Sequence, residues 1–144
     1  MSTAQRLSHD APPPAADLDS APFWEGARAR RLMIQACPAC GRLRFPPMPG
    51  CPHCGAPGGS WVQVSGAGTV YSWVRVHRTS NARFADLVPY VVATIELAPG
   101  CRMVARLDAA GPVVIGSAVE AVYVEHEAWT EVRFRSRANG DIDD

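Results

Sequence analysis

Hydrophobic and polar positions change rhythm twice along this chain. Residues 1–20 carry no periodic apolar pattern, and the run Ala11-Pro12-Pro13-Pro14 with scattered Asp and Ser reads as a disordered tail. Residues 22–31 then place Pro22 in a first turn with Ser20 as a cap, which predicts a short helix anchored by Phe23 and Trp24. Two short apolar runs, 32–35 and 43–45, flank a cysteine turn, and Pro46, Pro47 and Pro49 stop the second of them. From Trp61 onward the period drops to two, as in half-buried strands. In the next strand Val70, Val74 and Val76 are expected on one face, and Tyr71, Trp73, Arg75 and His77 on the other. A loop over 78–87 precedes a β-rich run at 88–97, and Ala98-Pro99-Gly100 turns the chain into 102–107. Residues 111–116 are too short for an ordinary helix and suit a turn or a single helical coil, after which 119–125 and 129–135 close the series.

Chemistry enters with two cysteine pairs, Cys37-Pro38-Ala39-Cys40-Gly41 and Cys51-Pro52-His53-Cys54-Gly55, with ten residues between them. Each Cys-x-x-Cys turn points two sulfurs at one place, and the following glycine frees backbone amides to approach the thiolates. Four such ligands suit tetrahedral Zn²⁺ with every position filled. A saturated site has no place for a catalytic water, so the metal is expected to hold structure. The competing readings are bare thiols or an iron site of the rubredoxin kind, and nothing else in the chain suggests a redox partner. His53 lies inside the second knuckle and is read as solvated, because four thiolates already satisfy zinc.

The fold class that follows is mainly β: a short N-terminal helix and a rubredoxin-like zinc ribbon, then a five-stranded barrel. Five strands with a small linking element between the third and fourth are what a Greek-key barrel of the OB type shows. The expected organisation is a disordered tail over 1–20, helix and ribbon over 21–60, barrel over 61–137 and a second disordered tail over 138–144.

Composition narrows the function. The hydrophobic fraction of 47% suffices for a real core in a chain of 144 residues. Fourteen Arg balance fourteen Asp plus Glu, and Lys is absent. Zero net charge argues against a strong nucleic-acid binder, whose affinity comes largely from phosphate neutralisation. The missing Lys is read as a coding bias toward Arg, Ala, Gly and Pro ahead of selected Arg chemistry. No apolar run approaches the ~20 residues of a membrane span. The N-terminus lacks a secretory pattern, and cysteines in metal spacing fit a reducing cytoplasm. Cys101, the fifth cysteine, is read as a small buried hydrophobe ahead of a reactive thiol.

Catalytic patterns are missing. His9, His53, His77 and His126 are scattered, no Ser or Cys sits in a nucleophile elbow, and no glycine-rich loop precedes a helix. Glu120, Glu125, Glu127 and Glu131 cluster near the last strands, as charged outer faces do, and His126 among them is read as a solvated edge residue. The row Tyr71, Trp73, Arg75 and His77 suits base stacking with a phosphate nearby, but packing of Tyr71 and Trp73 is the favoured reading. Arg75, His77, Arg78, Arg83 and Phe84 remain as candidates for the lining of a mouth.

One ordered set of motifs goes further: Phe23-Trp24-Glu25-Gly26, Gln35-x-Cys37-x-x-Cys40-Gly41, Phe45-Pro46-Pro47, Cys51-Pro52-x-Cys54-Gly55, Trp61, Ser65-Gly66-x-Gly68-x-Val70-Tyr71-Ser72, Pro89-Tyr90-Val91-Val92-Ala93 and Ile115-Gly116. Over about residues 22–135 the chain resembles the zinc-ribbon/OB-fold proteins long catalogued as a domain of unknown function and now called acyl-CoA-associated. Members often end the last strand in Phe-Arg-Pro, whereas Ser136 follows Phe134-Arg135 here. The resemblance implies a non-catalytic accessory subunit of a thiolase-fold enzyme: a thiolase, a lipid-transfer-protein-like aldolase of steroid side-chain breakdown, or an acyltransferase. Such a subunit stabilises its partner, completes or relays an acyl-CoA site, and sometimes bridges to a hydratase. Cys37, Cys40, Cys51 and Cys54 carry over as ligands of structural zinc. Phe23, Trp24, Pro46 and Pro47 are the candidate partner contacts, and neither nucleic acid nor membrane is an expected partner. The rivals are a single-stranded nucleic-acid-binding ribbon/OB module and an independent acyl-CoA enzyme.

Overall fold

The computed structural model describes residues 14, 15, 17, 19–109 and 111–137. The predicted terminal tails therefore fall mostly outside the described residues. Helix α1 spans Ala21–Arg28 with Pro22 in its first turn, and Phe23, Gly26 and Ala27 share its buried face at helical spacing. The expected side-chain cap is not made. Ser20 sits at φ −103°, ψ −8°, outside the extended geometry a capping side chain needs. It exchanges hydrogen bonds with Asp17 instead: the Ser20 amide donates to Asp17 Oδ1 (2.8 Å) and the Asp17 amide donates to Ser20 Oγ (3.2 Å). At the other end Arg30 adopts φ 61°, and the amides of Arg30 and Arg31 return to the carbonyls of Ala27 and Gly26. That is the Schellman closure, with an arginine where glycine is usual.

The ribbon is a three-stranded antiparallel sheet in the order β2-β1-β3, with β1 Leu32–Ala36, β2 Leu43–Arg44 and β3 Ser60–Val64. The strand that carries Trp61 thus pairs with β1, Gln35 opposite Trp61, and belongs to the ribbon's sheet before the chain enters the barrel. The helix lies close against this sheet. A Cβ on Gly26 would collide with the Met33 side chain and approach the Arg31 carbonyl to 2.9 Å, which accounts for the glycine in the Phe23–Gly26 motif.

Five strands close the barrel in the order β4-β5-β6-β8-β7: β4 Ala67–Val76, β5 Tyr90–Leu97, β6 Arg102–Asp108, β7 Ala118–Glu125 and β8 Thr130–Ser136. Closure rests on one parallel pairing, Leu107 with Phe134 and Asp108 with Arg135. β5 shows the cleanest alternation, burying Val91, Ala93, Ile95 and Leu97. It starts at Tyr90 rather than at residue 88, since Pro89 has no amide hydrogen to give a ladder. Between Val113 and Ser117 the linking element is a turn, held by Gly116 N to Val70 O (2.8 Å) and Val70 N to Ser117 O (3.0 Å).

The expected faces of β4 are half right. The register jumps between Val70, opposite Ile95, and Ser72, opposite Thr94, so Tyr71 is an extra, bulged residue. The bulge inverts the alternation beyond it. Val70 is buried, but Val74 is 59% exposed, and Trp73 is the residue that packs on the core. One apolar cluster joins Phe23 and Ala27 of the helix, Leu32 and Ile34 of the ribbon, and Val70, Ile95, Leu97, Val119 and Phe134 of the barrel.

Candidate functional site

The two knuckles bring their sulfurs together. Cys37 Sγ lies 3.6 Å from Cys54 Sγ and Cys40 Sγ lies 3.7 Å from Cys51 Sγ, and all four fall within 4.8 Å of one another. Four sulfurs at about 2.3 Å from one tetrahedral ion stand about 3.8 Å apart, so the cluster fits zinc. Backbone amides converge on it as the knuckle sequences require. Cys40 N and Ala39 N donate to Cys37 Sγ, and Cys54 N and His53 N donate to Cys51 Sγ. The Cys40 amide leads in lowering the Cys37 thiol to about 6, and the Cys54 amide leads in lowering Cys51. At Cys54 the Ala56 amide favours the thiolate, but proton sharing with Cys37, burial and the other two cysteines together push the thiol up to about 11. A bound zinc supplies the positive charge that lets all four ionise, and with four protein ligands its role is structural. His53 is exposed, as expected, and its Nδ1 meets the Arg42 guanidinium at 2.8 Å.

Sequence reasoning passed over the clamp beneath this centre. Arg44 is only 4% exposed, and the partners it meets among the described residues are neutral oxygens. Its Nε donates to Gln35 Oε1 (2.7 Å), and its Nη2 donates to the carbonyls of Met48 (2.9 Å) and Gly58 (2.7 Å). Gln35 Oε1 also accepts from Met48 N at 2.8 Å. The network ties β1 and β2 to the segments entering and leaving the second knuckle. Gln35 stands opposite Arg44 in the β1–β2 register, a pairing that only the fold reveals.

Phe23, Trp24, Pro46 and Pro47 come together. With Phe45, Val104, Arg106, Trp129 and Glu131 among others they line one cavity of about 430 Å³ where helix, ribbon and barrel meet. Phe23 forms its floor at 5% exposure, edge-on to Trp24 (4.9 Å) and tilted on Phe45 (5.6 Å). His126 is not a solvated edge residue. Its side chain is 4% exposed, stacks on Trp129 (4.7 Å) and bonds through Nε2 to Glu131 Oε1 (2.8 Å). The turn joining β7 to β8 folds back, His126 N donating to Trp129 O, and this carries the ring under the indole. Glu131 also accepts from Arg133 Nε at 2.9 Å. Burial disfavours its charge, but the hydrogen bonds from Arg133 and His126 outweigh burial and hold the carboxyl below its ordinary value. Cys101 is buried, and desolvation raises its thiol.

The favoured packing of Tyr71 and Trp73 holds for Trp73 and fails for Tyr71, which the bulge leaves 47% exposed. Arg102 covers the exposed Tyr71 ring, 3.6 Å from its centroid, while Trp73 turns toward the core with Arg75 5.6 Å from its ring. Of the mouth candidates, Arg75 lines a cavity, whereas His77, Arg78, Arg83 and Phe84 do not line it. Among the described residues no helix is long and apolar enough to cross a membrane.

Comparison with known proteins places this architecture. Residues 24–58 match the family described as the ChsH2 rubredoxin-like zinc ribbon domain, and residues 61–124 match the ChsH2 C-terminal OB-fold domain. A DUF35 domain-containing scaffold protein of Methanocaldococcus jannaschii is 35% identical over 104 residues, which cover 69% of this chain and 73% of that one. The chain belongs to the DUF35 family. A solved DUF35 chain, from the structure titled Ltp2-ChsH2(DUF35) aldolase, superposes with a TM-score of 0.75 at 40% identity, covering 86% of this chain and 98% of that one. Two longer relatives are named as hydratase subunits. The probable enoyl-CoA hydratase alpha subunit of Thermomonospora curvata is 41% identical over 85% of this chain. The 3-oxo-4,17-pregnadiene-20-carboxyl-CoA hydratase alpha subunit of Mycobacterium tuberculosis is 39% identical over 81% of it. The chain spans 39% and 37% of their lengths, respectively.

Proposed function

We propose that this DUF35 chain is a non-catalytic accessory subunit of a thiolase-fold enzyme (a thiolase, a lipid-transfer-protein-like aldolase or an acyltransferase) acting on acyl-CoA thioesters. It stabilises that enzyme, helps form or relay its acyl-CoA site, and in some assemblies meets a hydratase. The observation that most supports this reading is the likeness to the aldolase-associated DUF35 chain, nearly all of which is covered. The names of the two hydratase relatives point to the same CoA-thioester chemistry. Phe23, Trp24, Pro46 and Pro47 are the proposed partner face, with Trp24 and the prolines at the surface and Phe23 supporting them from below. A single-stranded nucleic-acid role finds less support, because Arg102 already occupies the face of Tyr71 and Trp73 turns inward.

The test is co-expression with candidate thiolase-fold enzymes of the same organism, followed by size exclusion and assay of the enzyme. A stable hetero-complex with raised activity is expected, and Trp24→Ala with Pro47→Ser should weaken it. A chain that stays alone and leaves the enzyme's activity unchanged defeats the proposal.

A further inference from the structure

From Gly26 to Ala85 the chain contains no Asp or Glu, although fourteen occur in the whole sequence. Within that stretch the ribbon, Leu32 to Val64, carries two arginines, Arg42 and Arg44, beside the four cysteines. Four thiolates around Zn²⁺ leave two net negative charges. Two of the ligands, Cys37 and Cys51, are buried. A dianion sunk this far into protein is costly unless positive charge accompanies it.

Arg44 poses the opposite problem. Its side chain is buried, its Nε and Nη2 bond to neutral oxygens, and its Nη1 is buried with no hydrogen-bond partner among the described residues. The carbonyls it holds frame the second knuckle. Met48 precedes Cys51, and Gly58 follows Cys54 and donates its amide to Pro49 O at 2.8 Å. Arg42 belongs to the first knuckle, where its carbonyl accepts from Cys37 N at 2.9 Å. Its exposed guanidinium reaches across to His53 of the second knuckle. Among the described residues neither arginine forms an ion pair with a carboxylate.

We propose that Arg42 and Arg44 are the counter-charges of the metal centre, Arg44 the buried one and Arg42 the solvent-exposed one. Two cations match two net negative charges, so the ribbon is neutral when it holds a divalent ion. A trivalent ion in the same four thiolates leaves one positive charge over. The ribbon is therefore fitted to a divalent metal, and iron bound in it is held in the ferrous state more firmly than the thiolates alone would hold it. Arg44 also grips the carbonyls that flank the second knuckle, so its charge and its fork have to be separated by experiment. Neither role depends on a partner enzyme.

The full chain is loaded with Zn²⁺ and its affinity read by competition with a chromogenic chelator. In a second sample iron replaces zinc and its reduction potential is measured. Arg44→Gln keeps amide donors and drops the charge; it should weaken zinc binding about ten- to a hundredfold and lower the iron potential. Arg44→Lys keeps the charge without the fork and should preserve the potential. Gln35→Leu breaks the same network with the charge in place, so stability should fall while the potential holds. Arg42→Gln, at an exposed position, should lower affinity and potential by less, with the loss fading at high salt. The potential is read only from chains that hold the metal, so unfolding cannot imitate the shift. An unchanged potential in Arg44→Gln, or an equal drop in Gln35→Leu, would overturn the proposal. If Arg44→Gln does not fold, Arg42→Gln decides: zinc affinity and iron potential both unaltered in dilute buffer would overturn it as well.

Discussion

The Trp24 indole meets the Trp129 indole nearly edge-on, with 5.7 Å between ring centroids, and so ties the helix before the ribbon to the turn before the last barrel strand. Trp129 is also stacked on His126, so one side chain closes both the helix–barrel seam and the β7–β8 turn. Trp129→Ala removes both contacts and should cost about 3 kcal/mol in chemical denaturation. In the proposed complex it should also weaken partner binding, since it empties one wall of the cavity that holds Trp24, Pro46 and Pro47.

The Glu131 carboxyl makes stability depend on acid. Its folded value lies below the ordinary 4.5, so its contribution is fully present above that value and is lost as pH falls through the depressed one. Glu131→Gln should therefore flatten the fall in stability below pH 4.5 relative to the parent chain. At neutral pH it should cost about 1–3 kcal/mol, because Arg133 and His126 lose a buried acceptor. Melting temperatures from pH 3 to 7 check both; identical acid slopes in the two proteins would contradict the assignment.

Tyr71 and Trp73 were expected on one face, and their energetics should differ sharply. Tyr71 is 47% exposed under Arg102, a contact worth about 0.5–1 kcal/mol at such a site, whereas Trp73 packs against the core and its truncation should cost about 2–3 kcal/mol. Urea unfolding of the two alanine variants measures the contrast. Equal losses would mean that the bulge does not hold in solution.

The same bulge shows what a linear reading misses. The cysteine knuckles were legible because ligand spacing is a local property, and the five barrel strands because alternation survives within each run. A single inserted residue in β4 leaves no mark in the alternation, yet it exchanges Val74 for Trp73 at the core. His126 and Arg44 were equally hidden. Each is a polar residue in a polar or cysteine-rich neighbourhood, and burial comes to each from partners distant in sequence or across a turn: Gly58 for Arg44, Trp129 for His126. The four partner-face candidates lie on two separate segments, and only the packing of helix on ribbon and barrel brings them to one cavity.

The zinc should be required for the ribbon and for what rests on it. One zinc per chain is expected by elemental analysis, with Cys40→Ser lowering that occupancy. Arg44 and Gln35 extend from the knuckles into β1 and β2, and Leu32 and Ile34 on β1 lie in the shared core. Chelation should thus disperse the ribbon signals first and then loosen the packing of Phe23 and Ala27, visible by NMR as loss of their long-range contacts. An apo chain retaining the full holo spectrum would refute a structural role for the metal.

Arg30 offers a test in the opposite direction. It holds φ 61° at the Schellman position, where a side chain costs roughly 1 kcal/mol relative to glycine, and its ion pair with Glu125 is loose (3.7 Å) and exposed. Arg30→Gly removes the strain and forfeits only that weak pair, at some cost in unfolded-chain entropy. The variant should be more stable by about 0.5 kcal/mol in thermal or urea unfolding. A clear loss instead would mean that the Arg30–Glu125 pair fastens the helix to β7 more strongly than its exposure implies.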